Sequence, residues 1–151
     1  MLTPRPATRA DLPTLLEFEQ GIILAERPFD PTLKPDPIIY YDIGEMIDAD
    51  WAEVVVAVDG DRLIGSGYAK DKVSDHYVDP PNHCFLGFMF THPDYRSRGV
   101  NGLVTDALLD WARARGHTEV QLRVYDDNAG AIRAYEKKGF GKYMVVMRRG
   151  L

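Results

Sequence analysis

Hydrophobic spacing divides the chain into ten segments of regular structure. Leu12, Leu15, Leu16, Ile22 and Ile23 recur at helical spacing, with Thr8 and Asp11 placed to cap a helix over residues 11–26. Prolines at 28, 31, 35 and 37 force a loop over 27–37, and a short helix is expected at 38–49. The apolar run from Val54 to Val58 reads as a buried strand over 53–58, Asp59-Gly60-Asp61 as a tight turn, and 63–72 as its hairpin partner. A polar loop over 73–82 leads to a strand at 83–91, which stops at His92-Pro93 because proline cannot continue a ladder.

In the second half, Val100, Leu103, Val104, Ala107, Leu108 and Trp111 mark the strongest amphipathic helix, ending near Gly116. Val120, Leu122 and Val124 alternate in a strand at 119–125. Asn128 caps a helix to about residue 138, closed by Gly139, and residues 143–147 form a last strand. With a first strand ahead of the first helix, the order is β-α-α-β-β-β-α-β-α-β. That order predicts an α/β fold, a mixed central sheet flanked by helices. A length of 151 residues fits a single domain over 1–151.

Composition narrows the class. A chain 45% hydrophobic and 27% charged has apolar residues enough to fold. Its apolar stretches are too short to cross a bilayer, and the first residues lack the apolar core of a signal peptide. The lone Cys84 excludes an internal disulfide and a cysteine-cluster metal site, and His76, His83, His92 and His117 show no ligand spacing. A cytoplasmic domain without metal or membrane partner is expected.

The net charge of −5 hides an asymmetry. Thirteen acids face two basic residues between Asp11 and Asp61, giving −11; the remaining sixteen basic and ten acidic residues give +6. Two solvated helix faces explain this as well as one anion-binding portion and one cation-favouring portion do. No basic stripe interleaves with aromatics, so nucleic acid is not an expected partner.

The chemistry concentrates at Arg96-Ser97-Arg98-Gly99-Val100-Asn101-Gly102, between a strand and the strongest helix. A helix start offers unpaired N–H groups and the positive end of a dipole, which bind phosphate. Ser97, Gly99 and Gly102 let the backbone approach a ligand, and Arg96 and Arg98 add charge-assisted bonds. The same letters also suit a plain capping turn with two solvated arginines. Neither the P-loop pattern nor the dinucleotide fingerprint is present.

This turn, together with Asn128-x-x-Ala131-x-x-x-Tyr135-x-x-x-Gly139-Phe140, resembles the GNAT superfamily of acetyl-CoA-dependent N-acyltransferases. The family signature Arg/Gln-x-x-Gly-x-Gly/Ala is matched from Arg96 except at Asn101, which replaces the small residue. The resemblance implies a mostly antiparallel sheet whose parallel pair, 83–91 and 119–125, splays to admit the donor. It implies that Met89, Phe90 and Thr91 offer backbone groups to the pantetheine arm. Residues 97–102 would cradle the diphosphate, with Asn128 beside the arm and the Asn101 side chain turned away. Tyr135 matches the residue that protonates the departing thiolate.

Acyl transfer to an amine needs a deprotonated amine, a stabilised oxyanion and a proton for sulfur. An amide near Met89 suits the oxyanion and Tyr135 the proton. Some relatives place a glutamate base five positions before the asparagine; here Arg123 stands there and cannot serve. Glu26, at the end of the first helix, is the first candidate, ahead of His76, Tyr77 and Asp126. Cys84 reads as a buried strand residue. In relatives the first helices wall the acceptor side, so the acidic segment points to a cationic primary amine on a small molecule or peptide. That side is either open or completed by a second subunit donating an edge strand, as in a homodimer. A non-catalytic acyl-CoA-binding sensor is the alternative, favoured by Asn101 and Arg123 and disfavoured by Tyr135.

Overall fold

The computed structural model describes residues 1–151. Four strands run antiparallel in chain order: β1 (Leu2–Pro6), β2 (Ala52–Asp59), β3 (Arg62–Val73) and β4 (Asn82–Thr91). A fifth, β5 (Val120–Leu122), joins β4 in parallel. The expected mixed sheet, antiparallel with one parallel pair, is therefore the fold. Helices α1 (Leu12–Glu26) and α2 (Ile43–Asp48) cover one face, and α3 (Val100–Ala114) covers the other. The last helix, α4 (Ala129–Lys137), follows β5.

The unbroken run in β2 is explained by burial on both sides. Val54, Val56 and Val58 pack with Leu15, Phe18 and Ile22 of α1, while Val55 and Ala57 pack with Val104 and Leu108 of α3. The i, i+3, i+4 stripe of α3 meets this second face, where Val104 and Leu108 are fully buried. No helix is long and apolar enough to cross a membrane.

β4 carries an irregularity that positions the site. Tyr68 pairs with Gly87 but Ser66 pairs with Phe90, so Phe88 and Met89 together oppose Gly67. Phe88 sits at φ +58°, the left-handed turn of a β-bulge. The bulge resets the alternation: Phe88 and Phe90 both join the α1 face, and Met89 turns to the α3 face. The pairing of β4 with β5 covers only Cys84–Leu86 against Val120–Leu122. From Gly87 to Thr91, β4 has no neighbour on that side, which is the splay the resemblance implied.

The first helix runs as expected and is preceded by a 3-10 turn over Arg9–Asp11, braced by Arg5 on the Asp11 carboxylate at 2.8 and 3.0 Å. Three expectations are corrected. The second helix starts at Ile43 rather than 38, because the N–H groups of Tyr40 and Tyr41 donate to the buried Glu19 carboxylate at 3.1 and 2.9 Å and hold that stretch non-helical. β5 has three residues instead of seven, since Tyr125 leaves the sheet to stack on Phe29 and donate to Asp30 at 3.2 Å. The strand expected at 143–147 does not form. Its five apolar side chains stand 71–90% exposed, because β5 is too short to template it and Arg148 ties the segment to Thr32 at 3.0 Å instead.

Candidate active site

The turn between β4 and α3 has the geometry of an anion cradle. Ser97 at φ +61° and Gly99 at φ +80° are both left-handed and follow an extended Arg96, the kind of alternating backbone from which anion-binding concavities are built. Gly99 is the N-cap of α3 and no side chain caps the helix, so its first N–H groups are free for a ligand. A Cβ added at Gly99 meets no atom within 4 Å, so the space above the turn is open. Val100, 2% exposed, anchors the turn from below against β3. Arg98 lies over the Tyr95 ring at 4.6 Å, and the Tyr95 hydroxyl donates to Asp59 at 2.6 Å, so this arginine is held at the rim; Arg96 is exposed.

Beside the cradle lies the unpaired end of β4. The Phe90 ring stacks on Phe18 at 4.3 Å, and Met89 packs over Gly67 beside Val104, so both side chains are committed to the core and only backbone groups face the gap. Asn128 caps α4, its side chain accepting from the Ala131 N–H at 3.2 Å. α4 thus begins after a six-residue connection from β5 and carries Tyr135 back toward α3. Lys138 of the following turn packs on Gly102 and donates to Asp106 at 2.9 Å, clamping the two helices together.

Tyr135 is 8% exposed and packs edge-on against Phe140. Burial raises its hydroxyl above the ordinary phenol range; a hydrogen bond from the Asn101 side chain pulls it down, and the Glu26 charge raises it again. Asn101 itself is steadied by Thr105, whose hydroxyl donates to Oδ1 at 3.4 Å. The residue that departs from the signature thus faces the phenol.

Glu26 ends α1 in a half-buried position. Burial raises its carboxyl, partly offset by a hydrogen bond from the Tyr40 hydroxyl, and neighbouring Asp30 raises it further. Its charge is felt by Tyr40, Tyr41, Tyr125 and Tyr135, which places it among the aromatic side chains between α1 and the end of β5. The other candidate bases lie in solvent. His76 and Tyr77 pair with each other in the exposed loop after β3, and Asp126 is exposed. Cys84 is fully buried and its thiol is pushed up to about 11, which leaves it inert.

Sequence reasoning missed the tyrosine wall. Tyr41 packs edge-on against Phe88 and Tyr68, and Burial pushes the Tyr68 and Tyr40 hydroxyls up to about 12. Gly87 marks where Tyr68 crosses the sheet, since a Cβ there would lie 2.5 Å from its hydroxyl. An isolated glycine inside a strand was the available signal.

The Acetyltransferase (GNAT) family matches residues 21–140. The chain is similar to N-alpha-acetyltransferase 30 of Schizosaccharomyces pombe, 31% identical over 99 residues, which are 65% of this chain and 64% of that protein. It is similar to mycothiol acetyltransferase of Geodermatophilus obscurus, 33% identical over 105 residues, 64% of this chain and 31% of that protein. The chain thus spans less than two thirds of the length of these relatives. Its fold matches a predicted acetyltransferase of Clostridium acetobutylicum solved with acetyl-CoA, with a TM-score of 0.75, 19 parts in 20 or more of each chain covered (99% and 96%) and 16% identity.

Proposed function

The chain belongs to the GNAT acetyltransferase family, and on that premise we propose that it transfers the acetyl group of acetyl-CoA directly to a primary amine of a small molecule or peptide. The observations that support this reading are the open cradle at Gly99, the unpaired end of β4, and Tyr135 on the helix that Lys138 clamps to α3. The cradle residues, Arg96 to Gly102, suit the diphosphate, and backbone groups of Met89, Phe90 and Thr91, with Asn128 opposite, suit the pantetheine arm.

The chemistry balances without a covalent enzyme intermediate. Glu26 accepts a proton from the incoming ammonium, directly or through water, and the freed amine attacks the thioester carbonyl. The oxyanion is held by a β4 amide. As the C–S bond breaks, Tyr135 donates its proton to sulfur and regains one, through water, from the nitrogen of the tetrahedral adduct; Glu26 returns its proton to solvent, leaving the neutral acetamide and free CoA thiol. Burial keeps Tyr135 protonated and gives Glu26 a stronger basicity than a solvated carboxylate.

The acidic segment around α1 and α2 attracts the cationic ammonium group of the acceptor. The reading includes a cytoplasmic homodimer, supported by the bare outer edge of β5 and the exposed apolar run at 143–147. The test is thiol release from acetyl-CoA across a panel of amines, with Tyr135→Phe as the variant. Turnover is expected to fall by about 10²–10⁴-fold while acetyl-CoA still binds. Unchanged turnover rejects the role of Tyr135, and CoA binding without thiol release for any amine supports the sensor instead.

A further inference from the structure

The sheet face that carries Tyr68 holds a charge arrangement that acetyl transfer alone leaves unused. Tyr68, Lys70 and Lys72 alternate onto this face of β3, where they pair with Gly87, Phe85 and His83 of β4. Phe85 pairs in turn with Gln121 of β5, and Arg123 follows directly after the last residue of that strand, Leu122. Lys72 Nζ lies 4.5 Å from the centre of the Phe85 ring, and Lys70 Nζ lies 5.9 Å from the same ring and 5.7 Å from that of Tyr68. Tyr68 and Lys72 both feel the Arg123 charge.

None of these three cations takes part in an ion pair, although the chain has ten. Burial lowers the Lys72 ammonium pKa, Arg123 and Lys70 lower it further, and Asp75 is the one carboxylate that opposes them. Like charges gathered over an aromatic ring repel one another in the free protein, and an anion placed among them relieves that repulsion.

This cationic face continues toward the end of α1: Tyr41 touches Tyr68 with its ring, and Tyr125, two residues beyond Arg123, stacks on Phe29 and donates to Asp30 at 3.2 Å. The acceptor side is therefore bipolar, with Glu26 and Asp30 at one end and Lys70, Lys72 and Arg123 at the other.

We propose that the acceptor carries an anionic group, a carboxylate or a phosphate, which Lys70, Lys72 and Arg123 receive over the Phe85 ring while its amine lies at the Glu26 end. This rests on the acceptor side described under the proposed function, and it favours amino acids, peptides with a free C-terminus or aminoalkyl phosphates over polyamines.

The experiment titrates the CoA-loaded protein with two probe pairs that differ in an anionic group: glycylglycine against glycylglycine amide, one charge apart, and phosphoethanolamine against ethanolamine, nearly two charges apart at neutral pH. The anionic member is expected to bind at least about tenfold more tightly. The double variant Lys72→Gln, Arg123→Gln should abolish that preference, Lys70→Gln alone should weaken it, and Lys142→Gln, on the exposed C-terminal segment, should leave it intact. A thermal unfolding curve verifies that each variant is folded. Which pair shows the larger preference separates a carboxylate from a phosphate. Equal binding within both pairs, binding of neither member, or a preference that survives the double variant overturns the proposal. Thiol release with the same probes separates the two claims. A binding preference without thiol release keeps the anion subsite and rejects acetyl transfer; thiol release indifferent to probe charge and to the double variant does the reverse.

Discussion

Substituting Gly99 by alanine isolates what the cradle does. At φ +80° a side chain costs about 1 kcal/mol of backbone strain, and with no atom within 4 Å of the added Cβ there is no steric cost inside the protein. Gly116, at φ +89° and equally open, lies just past the other end of α3, about 22 Å away along a 15-residue helix. Gly99→Ala and Gly116→Ala should therefore lower the melting temperature of the free protein alike, by roughly 2–4 °C for a chain of this size. They should differ once CoA is added. A methyl at Gly99 occupies the space where a phosphate oxygen meets the backbone, so affinity should fall at least tenfold, about 1.4 kcal/mol; Gly116→Ala should bind as the parent does. Thermal unfolding without ligand and calorimetric titration with CoA give the two readings. Equal CoA affinity in both variants refutes the assignment of the diphosphate to this turn.

Three further outcomes follow from the same geometry. Glu26 must be ionised to act as a base and its carboxyl is raised by burial, so kcat/KM should fall as pH drops through a value above the ordinary 4.3 or so, and Glu26→Gln should remove that limb. Asn101→Ala removes the donor that lowers the Tyr135 hydroxyl; kcat should fall about tenfold and the alkaline limb move to higher pH, while KM for acetyl-CoA stays within about threefold. If the proposed homodimer uses the exposed apolar run, the parent chain should sediment as a dimer in analytical ultracentrifugation and Val145→Lys as a monomer; a parent chain that sediments as a monomer contradicts the proposal outright.

Much of the fold was legible because local signals and burial agree. The proline-rich loop, the hairpin turn at Gly60 and the stripe of α3 each name a local conformation, and the packed sheet accepts all three. What escaped notice depends on partners remote in the chain. The second helix is shortened by Glu19, about twenty residues earlier, and β5 is shortened by Asp30, 95 residues before Tyr125. The run at 143–147 has every property of a strand except a neighbour to pair with. At the site, the turn and Tyr135 could be read from residue type and spacing. The bulge at Phe88 could not, because a phenylalanine at positive φ has no compositional mark. The cationic face was hidden for a similar reason: Lys70 and Lys72 lie about fifty residues from Arg123 and are brought near it only by the pairing of β3, β4 and β5, just past the last residue of which Arg123 stands.

The most direct test compares CoA with pantetheine in calorimetric titrations of the parent protein. The two share the thiol arm, and only CoA carries the diphosphate. A diphosphate held by the N–H groups of residues 97–102 predicts at least about a 100-fold preference for CoA, near 2.7 kcal/mol. No heat with CoA, or equal affinity for both, contradicts it.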